Sequence, residues 1–356
     1  MTTGAKQTSS DAAHASAPNP LHTSTPNPLH TLMDLATSHW KSAALSAGVE
    51  LGLFALLAGR GPMDSTGIRE ALQTSPLHTS ALLDALVALN LLTRDGATYG
   101  LHPDARPFLD PASERSLLTA LKFNAMSFPL WSKLGMCVKQ GAPMLPPKSH
   151  LGPDAGFTRQ FVLAMHERAV AFGPMLMGAI DVTDANRLLD VGAGPGTFSR
   201  LLAERKADLR VTLFELPAVL EVSRELLAGH AVSSRVAFVA GDYHTDALPQ
   251  GFDAVLYAGA LHQETPPRAA ALLEKLKMSL RPGGRLFVLD LMLDPGRAAP
   301  ASSALFGLSM LLTNADAHMY AIDEVSSLVR DAGLEWVSEV RVGQSPYGLV
   351  VGRRRT

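Results

Sequence analysis

The stretch that decides the fold is residues 187–196, Arg-Leu-Leu-Asp-Val-Gly-Ala-Gly-Pro-Gly. An apolar segment with the character of a buried strand runs directly into a glycine-rich turn, and the spacing of Phe198, Leu201 and Leu202 then predicts a helix. Glycines lack Cβ atoms, so the backbone can turn tightly and approach a ligand, while the free N–H groups at the start of the helix favour an anionic group. The stretch therefore predicts a strand, a ligand-binding turn and a helix.

The spacing of the glycines distinguishes two classes of cofactor. A dinucleotide turn has the pattern Gly-x-Gly-x-x-Gly, but here the third glycine comes one residue early, at Gly196, and Thr197 occupies the dinucleotide position. The pattern Gly-x-Gly-x-Gly favours S-adenosylmethionine (SAM). Because many glycine turns only connect a strand to a helix, the strands that follow have to support this interpretation.

The next two predicted strands also end in side chains suited to a nucleoside. The strand over 209–214 ends at Glu215, whose carboxylate can accept hydrogen bonds from both ribose hydroxyls. The strand over 236–240 is followed by Asp242, a carboxylate for an adenine amino group, and by Tyr243, a ring that can lie on the base. Ligands of open α/β sheets sit outside the carboxyl ends of the strands. The predicted cofactor-binding residues are therefore Asp190, Gly192, Gly194, Gly196, Glu215, Leu216, Asp242 and Tyr243.

A histidine follows the fourth predicted strand, over 254–257. His262 is a candidate general base because histidine has the unperturbed pKa closest to neutral pH. A fifth strand ends at Asp290, a carboxylate that could hold the histidine tautomer. Methyl transfer from a sulfonium is an in-line displacement, so alignment of donor and acceptor should supply most of the catalysis. The alternative, a hydrogen-bonded histidine at a helix start without a chemical role, stays open.

Length and composition exclude several classes of protein. At 356 residues the chain suits two domains, and 47% hydrophobic with 18% charged residues is typical of a soluble globular protein. The formal net charge of -2 provides no global positive field for nucleic acid or an anionic membrane. The single Cys137 cannot form an internal disulfide, and no apolar run approaches the length of a membrane span. We expect a cytoplasmic protein without a nucleic-acid or membrane partner.

The N-terminal part has the pattern of a winged helix. A strongly apolar helical stretch over 32–57 precedes a short helix capped by Ser65 and a second helix opened by Pro76. Asp95-Gly96 then lies between two short strands, as in a wing. A winged helix can bind DNA, but from Pro76 to the wing there is no Lys or Arg to contact phosphates. The apolar helices would instead bury well against a second copy, so we expect a homodimer.

These motifs together resemble the bacterial relatives of plant-type and hydroxyindole-type small-molecule O-methyltransferases, which use SAM. The similarity spans roughly residues 30–354 and includes Leu-Leu-Asp-Val-Gly-Ala-Gly-Pro-Gly at 188–196, Phe-Glu-Leu-Pro at 214–217, Gly-Asp-Tyr at 241–243, Leu-His at 261–262 and Arg-Pro-Gly-Gly-Arg at 281–285. The resemblance implies an α/β fold, with a class I Rossmann-like methyltransferase sheet and an all-α-rich N-terminal winged-helix dimerisation domain. It also implies that SAM is the cofactor, that His262 is the general base and that Asp290 orients it.

The resemblance and the composition together define four segments of the chain. Residues 1–28, with two copies of Pro-Asn-Pro-Leu-His-Thr, have too little apolar mass to fold and are expected to be a disordered tail. Residues 29–115 form the winged-helix dimerisation domain. Residues 116–180 form a helical bridge and substrate lid, with the helical pattern interrupted at Gly173-Pro174. Residues 181–356 form the SAM-binding methyltransferase domain.

Aromatic, thioether and amide side chains on the bridge and in the C-terminal part indicate an acceptor pocket that can mould around a flat ligand. The resemblance implies that Phe161 and Met165 wall the acceptor, although a core stripe explains their i, i+4 spacing equally well. The candidate substrate-binding residues are Asn124, Trp131, Phe161, Met165, Met310 and Asn314. We expect a small hydroxylated aromatic or polyketide-like metabolite as the acceptor.

The chain departs from the family pattern at three places. The family commonly has His-Asp-Trp where this chain has His-Gln263-Glu264, a second family carboxylate falls around Met319, and Ala258 replaces a lysine. Relatives with altered motifs can methylate carbon or nitrogen, or keep SAM as a structural cation in non-methylating reactions. Those alternatives stay open, as does a winged-helix regulator or ligand-binding protein.

A metal site is a further alternative. His262, Asp290 and His318 could converge as two imidazoles and a carboxylate, a set suited to non-haem iron. Donor alignment requires no metal, and no pair of ligands sits at a short motif spacing. We therefore expect no metal.

Overall fold

The structure, a computed structural model, describes residues 1–2, 27–145 and 151–356. Most of the expected disordered tail, including the first copy of its repeat, lies outside these residues. The second copy, at 26–31, is described from Asn27 onward, and the first helix begins within it, at Pro28. Packing divides the chain into two units, 1–43 and 44–356. The four segment boundaries drawn from the sequence stay predictions.

The helices and strands account for most of the described residues. The α-helices are α1 (Pro28–Glu50), α2 (Leu53–Arg60), α3 (Ser65–Leu72), α4 (Pro76–Ala88), α5 (Arg106–Leu109), α6 (Leu118–Trp131), α7 (Leu134–Gln140), α8 (Ala155–Gly178), α9 (Thr197–Arg205), α10 (Pro217–Leu227), α11 (Pro266–Ser279), α12 (Ala301–Leu311) and α13 (Ile322–Asp331). The strands are β1 (Met63–Asp64), β2 (Leu92–Asp95), β3 (Thr98–Leu101), β4 (Arg187–Val191), β5 (Arg210–Glu215), β6 (Val236–Ala240), β7 (Phe252–Ala258), β8 (Leu280–Leu291), β9 (Glu335–Arg341) and β10 (Tyr347–Arg353). Short 3-10 turns lie at Ser233–Arg235 and Leu261–Gln263.

The winged-helix pattern is present in the structure. Helices α3 and α4 precede the hairpin of β2 and β3, and β1 completes a small sheet in the order β1-β3-β2. The core beneath it contains the fully buried side chains of Phe54, Ile68 and Leu83. The predicted cap of α3 is wrong: Asp64, not Ser65, accepts the capping hydrogen bond, from Gly67 N–H at 2.7 Å. Asp64 has the extended backbone that an N-cap needs, whereas Ser65 is already helical.

The large sheet carries the α/β half of the chain. Within the described residues it has the strand order β6-β5-β4-β7-β8-β10-β9, in which the first five strands are parallel and β10 is antiparallel to both of its neighbours. Its central strands are almost wholly buried because helices cover both faces, which is why they are apolar runs and do not alternate. The chain passes from β4 to β5 and β6 on one side and then to β7 on the other. The carboxyl ends of β4 and β7 are therefore the topological switch point, where ligands of such sheets bind.

Helix α8 is longer than the sequence pattern indicated. The interruption predicted at Gly173-Pro174 is wrong, because the helix continues through both residues to Gly178. A Cβ atom on Gly173 would lie 2.4 Å from Leu201 Cδ1, so the glycine allows α9 to pack closely against α8. Pro174 removes one intrahelical hydrogen bond near the end of the helix, and the close packing holds the last turn in place.

Among the described residues no single helix is long and apolar enough to cross a membrane. By length and composition only, the pair α1 and α2, bent by 57°, passes the same test.

Candidate active site

The glycine turn connects β4 to α9 in a left-handed conformation. Gly192, Gly194 and Gly196 have φ values of 67°, 52° and 71°, which side chains rarely adopt. A Cβ atom on Gly196 would lie 2.6 Å from Leu213 Cδ1, so this glycine also permits close packing of the turn on β5. At Gly194 a Cβ atom would meet nothing within 4 Å. The backbone at this position therefore borders open space that a ligand can approach.

Glu215, at the carboxyl end of β5, is held against this turn. Its Oε2 accepts a hydrogen bond from Gly194 N–H at 2.9 Å, and its Oε1 accepts one from Leu216 N–H at 2.7 Å. Burial raises the pKa of the Glu215 carboxyl, while the two N–H donors lower it. A carboxylate has about four acceptor positions, so two remain for a ligand. This arrangement fits a nucleoside whose two ribose hydroxyls donate to one carboxylate.

Asp190 lies at the end of β4, beneath the turn. It is almost fully buried, and its Oδ2 accepts a hydrogen bond from Ser199 Oγ–H at 2.6 Å. Burial raises the pKa of Asp190 to about 7. Together with Glu215 it places two buried carboxyl groups at this edge of the sheet, and a cationic ligand bound there would favour their ionised forms.

The loop after β6 lies next to the same turn. The edge of the Tyr243 ring is 3.4 Å from where a Cβ atom on Gly192 would stand. Asp242 is partly exposed, and its Oδ1 accepts a hydrogen bond from His244 N–H at 2.8 Å. The strand ends named from the sequence are therefore adjacent in space.

His262 and Asp290 form a buried pair across the ends of β7 and β8. The Nδ1 of His262 lies 2.9 and 3.1 Å from the two carboxylate oxygens of Asp290, and the backbone N–H of His262 donates to Asp290 Oδ2 at 3.0 Å. Because a carboxylate only accepts, Nδ1 carries the proton and Nε2 keeps its lone pair. Nε2 makes no hydrogen bond with the described residues. Asp290 thus holds the tautomer and the orientation that a general base requires.

Glu264 is a buried carboxylate whose role the sequence did not indicate. Its Oε1 accepts a hydrogen bond from the Tyr243 hydroxyl at 3.2 Å and lies 3.3 Å from His244 Nε2, while Arg268 Nε lies 3.1 Å from its Oε2. The Tyr320 hydroxyl donates to its backbone carbonyl at 2.8 Å. Burial raises the pKa of Glu264, although His244 and Arg268 act in the opposite sense. Glu264 therefore ties the Tyr243 loop to the turn that carries the histidine.

The neighbouring Gln263 is exposed, in contrast to Glu264. The neutral amide that replaces a family carboxylate therefore lies on the solvent side of the turn.

One residue of the predicted acceptor set, Asn314, lies beside the histidine turn, together with Phe306 and His318, which were not in that set. The Phe306 ring meets the His262 ring edge to face, with 4.8 Å between centroids. The Asn314 side-chain N–H donates to the carbonyl of Gln263 at 3.4 Å. His318 donates its backbone N–H to the carbonyl of His262 at 3.0 Å, and burial lowers the pKa of its imidazole.

The other candidates lie on the helices around this point. Trp131 packs in a small cluster with Leu312, at the end of α12. Phe161 meets the Phe123 ring at 5.7 Å between centroids. Asn124 accepts a hydrogen bond from Arg168 through Oδ1. The remaining two candidates, Met165 and Met310, are both partly buried.

Two other features were considered as functional sites: a metal site at the histidine and a separate cleft. In ranges 27–145 and 151–356, no group of three or more His, Cys, Asp or Glu side chains is arranged to hold a metal ion, so His262, Asp290 and His318 do not form one. A separate cleft of about 450 Å³ contains none of the strand-end residues. It is lined by Gly48, Val49, Gly52, Phe54, Ala55, Leu118, Thr119, Lys122, Gly156, Arg159, Gln160 and Leu163.

Comparison with known proteins identifies the family. Residues 141–335 match the model of an O-methyltransferase domain, and residues 33–111 match that of an O-methyltransferase dimerisation domain. The tetracenomycin polyketide synthesis 8-O-methyl transferase TcmO of Streptomyces glaucescens is 31% identical, over 91% of this chain and 96% of its own length. The N,N-dimethyltransferase OxyT of Streptomyces rimosus is also 31% identical, over 85% of this chain and 89% of its own.

A solved structure agrees with these matches. The crystal structure of human N-acetylserotonin methyltransferase in complex with SAM superposes with a TM-score of 0.84 at 25% identity, covering 94% of this chain and 99% of that one. The glycine turn and Glu215 fit the nucleoside of the same cofactor, and its positive charge would favour the ionised form of Asp190. The regulator and ligand-binding alternatives are thereby set aside. The chain belongs to the SAM-dependent O-methyltransferase family and is a methyltransferase.

Proposed function

We propose that the protein transfers the SAM methyl group to a hydroxyl oxygen of a small hydroxylated aromatic or polyketide-like metabolite, with His262 as the general base. The observation that carries this proposal is the buried His262–Asp290 pair, in which Asp290 holds Nδ1 and leaves Nε2 without a partner among the described residues. Bound SAM supplies an electrophilic methyl group on a sulfonium.

The pair transfers the proton, and the residues around it bind the methyl donor. His262 Nε2 takes the proton of the acceptor hydroxyl as the oxygen attacks, and Asp290 stabilises the resulting imidazolium. Glu215 and Asp242 bind the nucleoside of the donor, and Tyr243 covers the turn at Gly192. The other predicted cofactor residues act through the backbone of the turn or beside it: Asp190, Gly192, Gly194, Gly196 and Leu216.

We propose that the acceptor lies between the histidine and the helices α6, α8 and α12. The proposed lining is Asn124, Trp131, Phe161, Met165, Met310 and Asn314. Aromatic and thioether groups hold a flat ligand through apolar contact, and Asn314 beside the histidine turn offers a directional polar group. Alignment of hydroxyl and methyl donor within such a pocket supplies most of the rate.

The test is methyl transfer from labelled SAM to a panel of phenols and hydroxylated polycyclic aromatics, with S-adenosylhomocysteine (SAH) measured as the second product. The proposal expects labelled ether products whose formation falls sharply in His262→Ala. Donor binding without any transfer to an oxygen would contradict it and would favour a non-methylating enzyme.

Nitrogen is the second candidate for the accepting atom. One relative, OxyT, is an N,N-dimethyltransferase with the same level of identity as the O-methylating relative. A neutral amine attacks without prior loss of a proton, so His262→Ala would lower its methylation much less. Including aromatic amines in the panel therefore separates the two atoms.

We further propose that the protein is a homodimer. It contains a dimerisation domain over 33–111, and apolar side chains on α1 are exposed in the single chain, among them Leu32, Leu35 and Trp40, each about two-thirds exposed. Light scattering should give twice 37.8 kDa. A monomer mass at micromolar concentration would contradict the dimer. The cytoplasmic location expected from the sequence stays a prediction, which cell fractionation tests.

A further inference from the structure

Arg168 is a cationic side chain on the helix proposed to wall the acceptor. It follows Phe161 and Met165 on α8 at i+7 and i+3, so the three share one face of the helix. Its side chain is partly buried, and burial lowers the pKa of its guanidinium from the ordinary value. The face proposed to contact the acceptor therefore ends in a positive charge.

The Arg168 guanidinium has few partners for a group with five N–H donors. It donates to Asn124 Oδ1, and among the described residues no carboxylate oxygen lies within 4.0 Å of its nitrogens. Arg235, also in a partly buried setting, instead donates to the backbone carbonyls of Lys206, Leu209 and Ala203. A charge removed from water normally has such compensation. Most of the N–H donors of Arg168 therefore have no protein partner among the described residues.

Tyr347 is a second polar side chain beside the reactive pair. Tyr347 begins β10 and pairs with Leu291, the residue after Asp290, so it stands beside the carboxylate that holds the histidine. Burial and the negative charge of Asp290 raise the pKa of Tyr347 to about 12, while the positive charge of Arg168 acts against them. Its hydroxyl makes no hydrogen bond with the described residues. The charges of Arg168 and Asp290 therefore both act on the Tyr347 hydroxyl, in opposite directions.

A ligand carboxylate would complete this arrangement. The planar fork of a guanidinium binds a carboxylate through two parallel hydrogen bonds, which a neutral phenol cannot accept in the same way. The Tyr347 hydroxyl is a further donor without a partner among the described residues, and Asn124 holds the guanidinium through its Oδ1. An apolar aromatic body would then occupy the face of Phe161 and Met165.

We propose that Arg168 is a specificity-determining residue that binds a carboxylate on the acceptor, so that the acceptor class is hydroxylated aromatic carboxylic acids. The inference rests on the proposed function, because it assigns the substrate class of the same site. It adds the requirement that the acceptor carries an anion at one end and its reacting hydroxyl at the other.

The experiment measures binding to SAH-loaded protein, so that it does not depend on turnover. The probes are hydroxynaphthoic acid isomers and their matched hydroxynaphthamides, which differ only in charge. We expect the best acid to bind at least about tenfold tighter than its amide to the wild-type protein. Arg168→Met should remove this preference, and Arg168→Lys should retain part of it because the charge remains without the fork.

The matched control is Arg159→Met, on the same helix. Arg159 is half-exposed and pairs with Glu225 at 2.6 Å, so its removal should leave the acid preference unchanged. Far-UV circular dichroism checks the fold of each variant. In addition, the acid should raise the melting temperature of the wild type and of Arg159→Met, but not that of Arg168→Met.

Each outcome decides the proposal. Equal binding of acid and amide, no binding of either, or an acid preference that survives in Arg168→Met would overturn it. Transfer from labelled SAM to the hydroxyl of the bound acid is measured separately. An acid preference that depends on Arg168 without such transfer would support the binding site and would contradict the proposed O-methylation.

Discussion

The donor side and the acceptor side of the site differ in how their polar groups are satisfied. On the proposed donor side, Glu215 accepts two backbone N–H groups, and at the reactive pair Asp290 holds the histidine through its ring and its backbone. On the acceptor side, Arg168 has one side-chain partner and the Tyr347 hydroxyl has none among the described residues. The donor side is preorganised by the backbone of the sheet, whereas the acceptor side relies on side chains of helices. Substitutions should therefore separate donor binding from acceptor binding.

The largest expected effect comes from the histidine itself. His262→Ala should lower kcat by about 10²–10⁴-fold, the contribution of a positioned base, while the Kd for SAM changes little because the donor contacts lie on other strand ends. Steady-state kinetics and calorimetry with SAM measure the two quantities. His78→Ala, at an exposed position on α4, is the control. Loss of SAM affinity in His262→Ala would refute the assigned role.

The next effect tests the donor side alone. Glu215→Gln removes a charge that we propose accepts the ribose hydroxyls, so the Kd for SAM should rise by about 10–100-fold, as for hydrogen bonds to a charged group. Acceptor binding to the variant at saturating SAH should stay the same. Glu221→Gln, exposed on α10, is the matched control. If the two variants bind SAM equally well, Glu215 does not contact the donor.

The buried acidic edge predicts a pH dependence of stability. Because the pKa of Asp190 is raised to about 7 by burial, the folded protein keeps a proton that the unfolded chain has lost, so this group makes the free energy of unfolding fall as pH rises from about 4 to 7. Between pH 5 and pH 8 the change is on the order of 2 kcal/mol.

Asp190→Asn should remove this slope, as measured by urea unfolding at several pH values without SAM. SAM should also reduce the slope in the wild type, because its positive charge favours the ionised carboxyl. A slope that persists unchanged in Asp190→Asn would assign it to another group.

The smallest effect belongs to the acceptor side. Asn124→Ala removes the side chain that holds Arg168, so the acceptor KM should rise by about three- to tenfold, the value of one hydrogen bond, with an unchanged Kd for SAM. Met126→Ala, exposed on the same helix, should leave both quantities unchanged. A change in SAM affinity in Asn124→Ala would show that the two sides are not separable.

Much of the fold, and the grouping of the candidate donor residues at one edge of the sheet, could be predicted because their signals are local. The run from Arg187 through the glycine turn specifies strand, turn and helix within a few residues, and Glu215 and Asp242 follow at strand ends that parallel topology brings to one edge. The errors were also local. Asp64 displaced Ser65 as a cap because of its pairing with β3, and α8 passed through Pro174 because Gly173 packs on Leu201.

Contacts between residues far apart in the chain were not predictable. Glu264 looked like a departure from a family motif, yet in the fold it is the buried link between the Tyr243 loop and the histidine turn. Arg168 looked like an ordinary helical charge, and only the packed structure shows that Asn124 is its one side-chain partner among the described residues.

The amino-acid sequence by itself determined the order of strands and helices, the glycine turn, the cofactor class and the two residues proposed for proton transfer. These follow from apolar periodicity and from residue types at strand ends, which act over a few residues. Only the tertiary structure decided which carboxylates are buried, which cation has no carboxylate partner among the described residues and which side chains meet at the proposed acceptor position. Burial and charge compensation depend on elements distant in the chain, so they exist only once the sheet and its helices have packed.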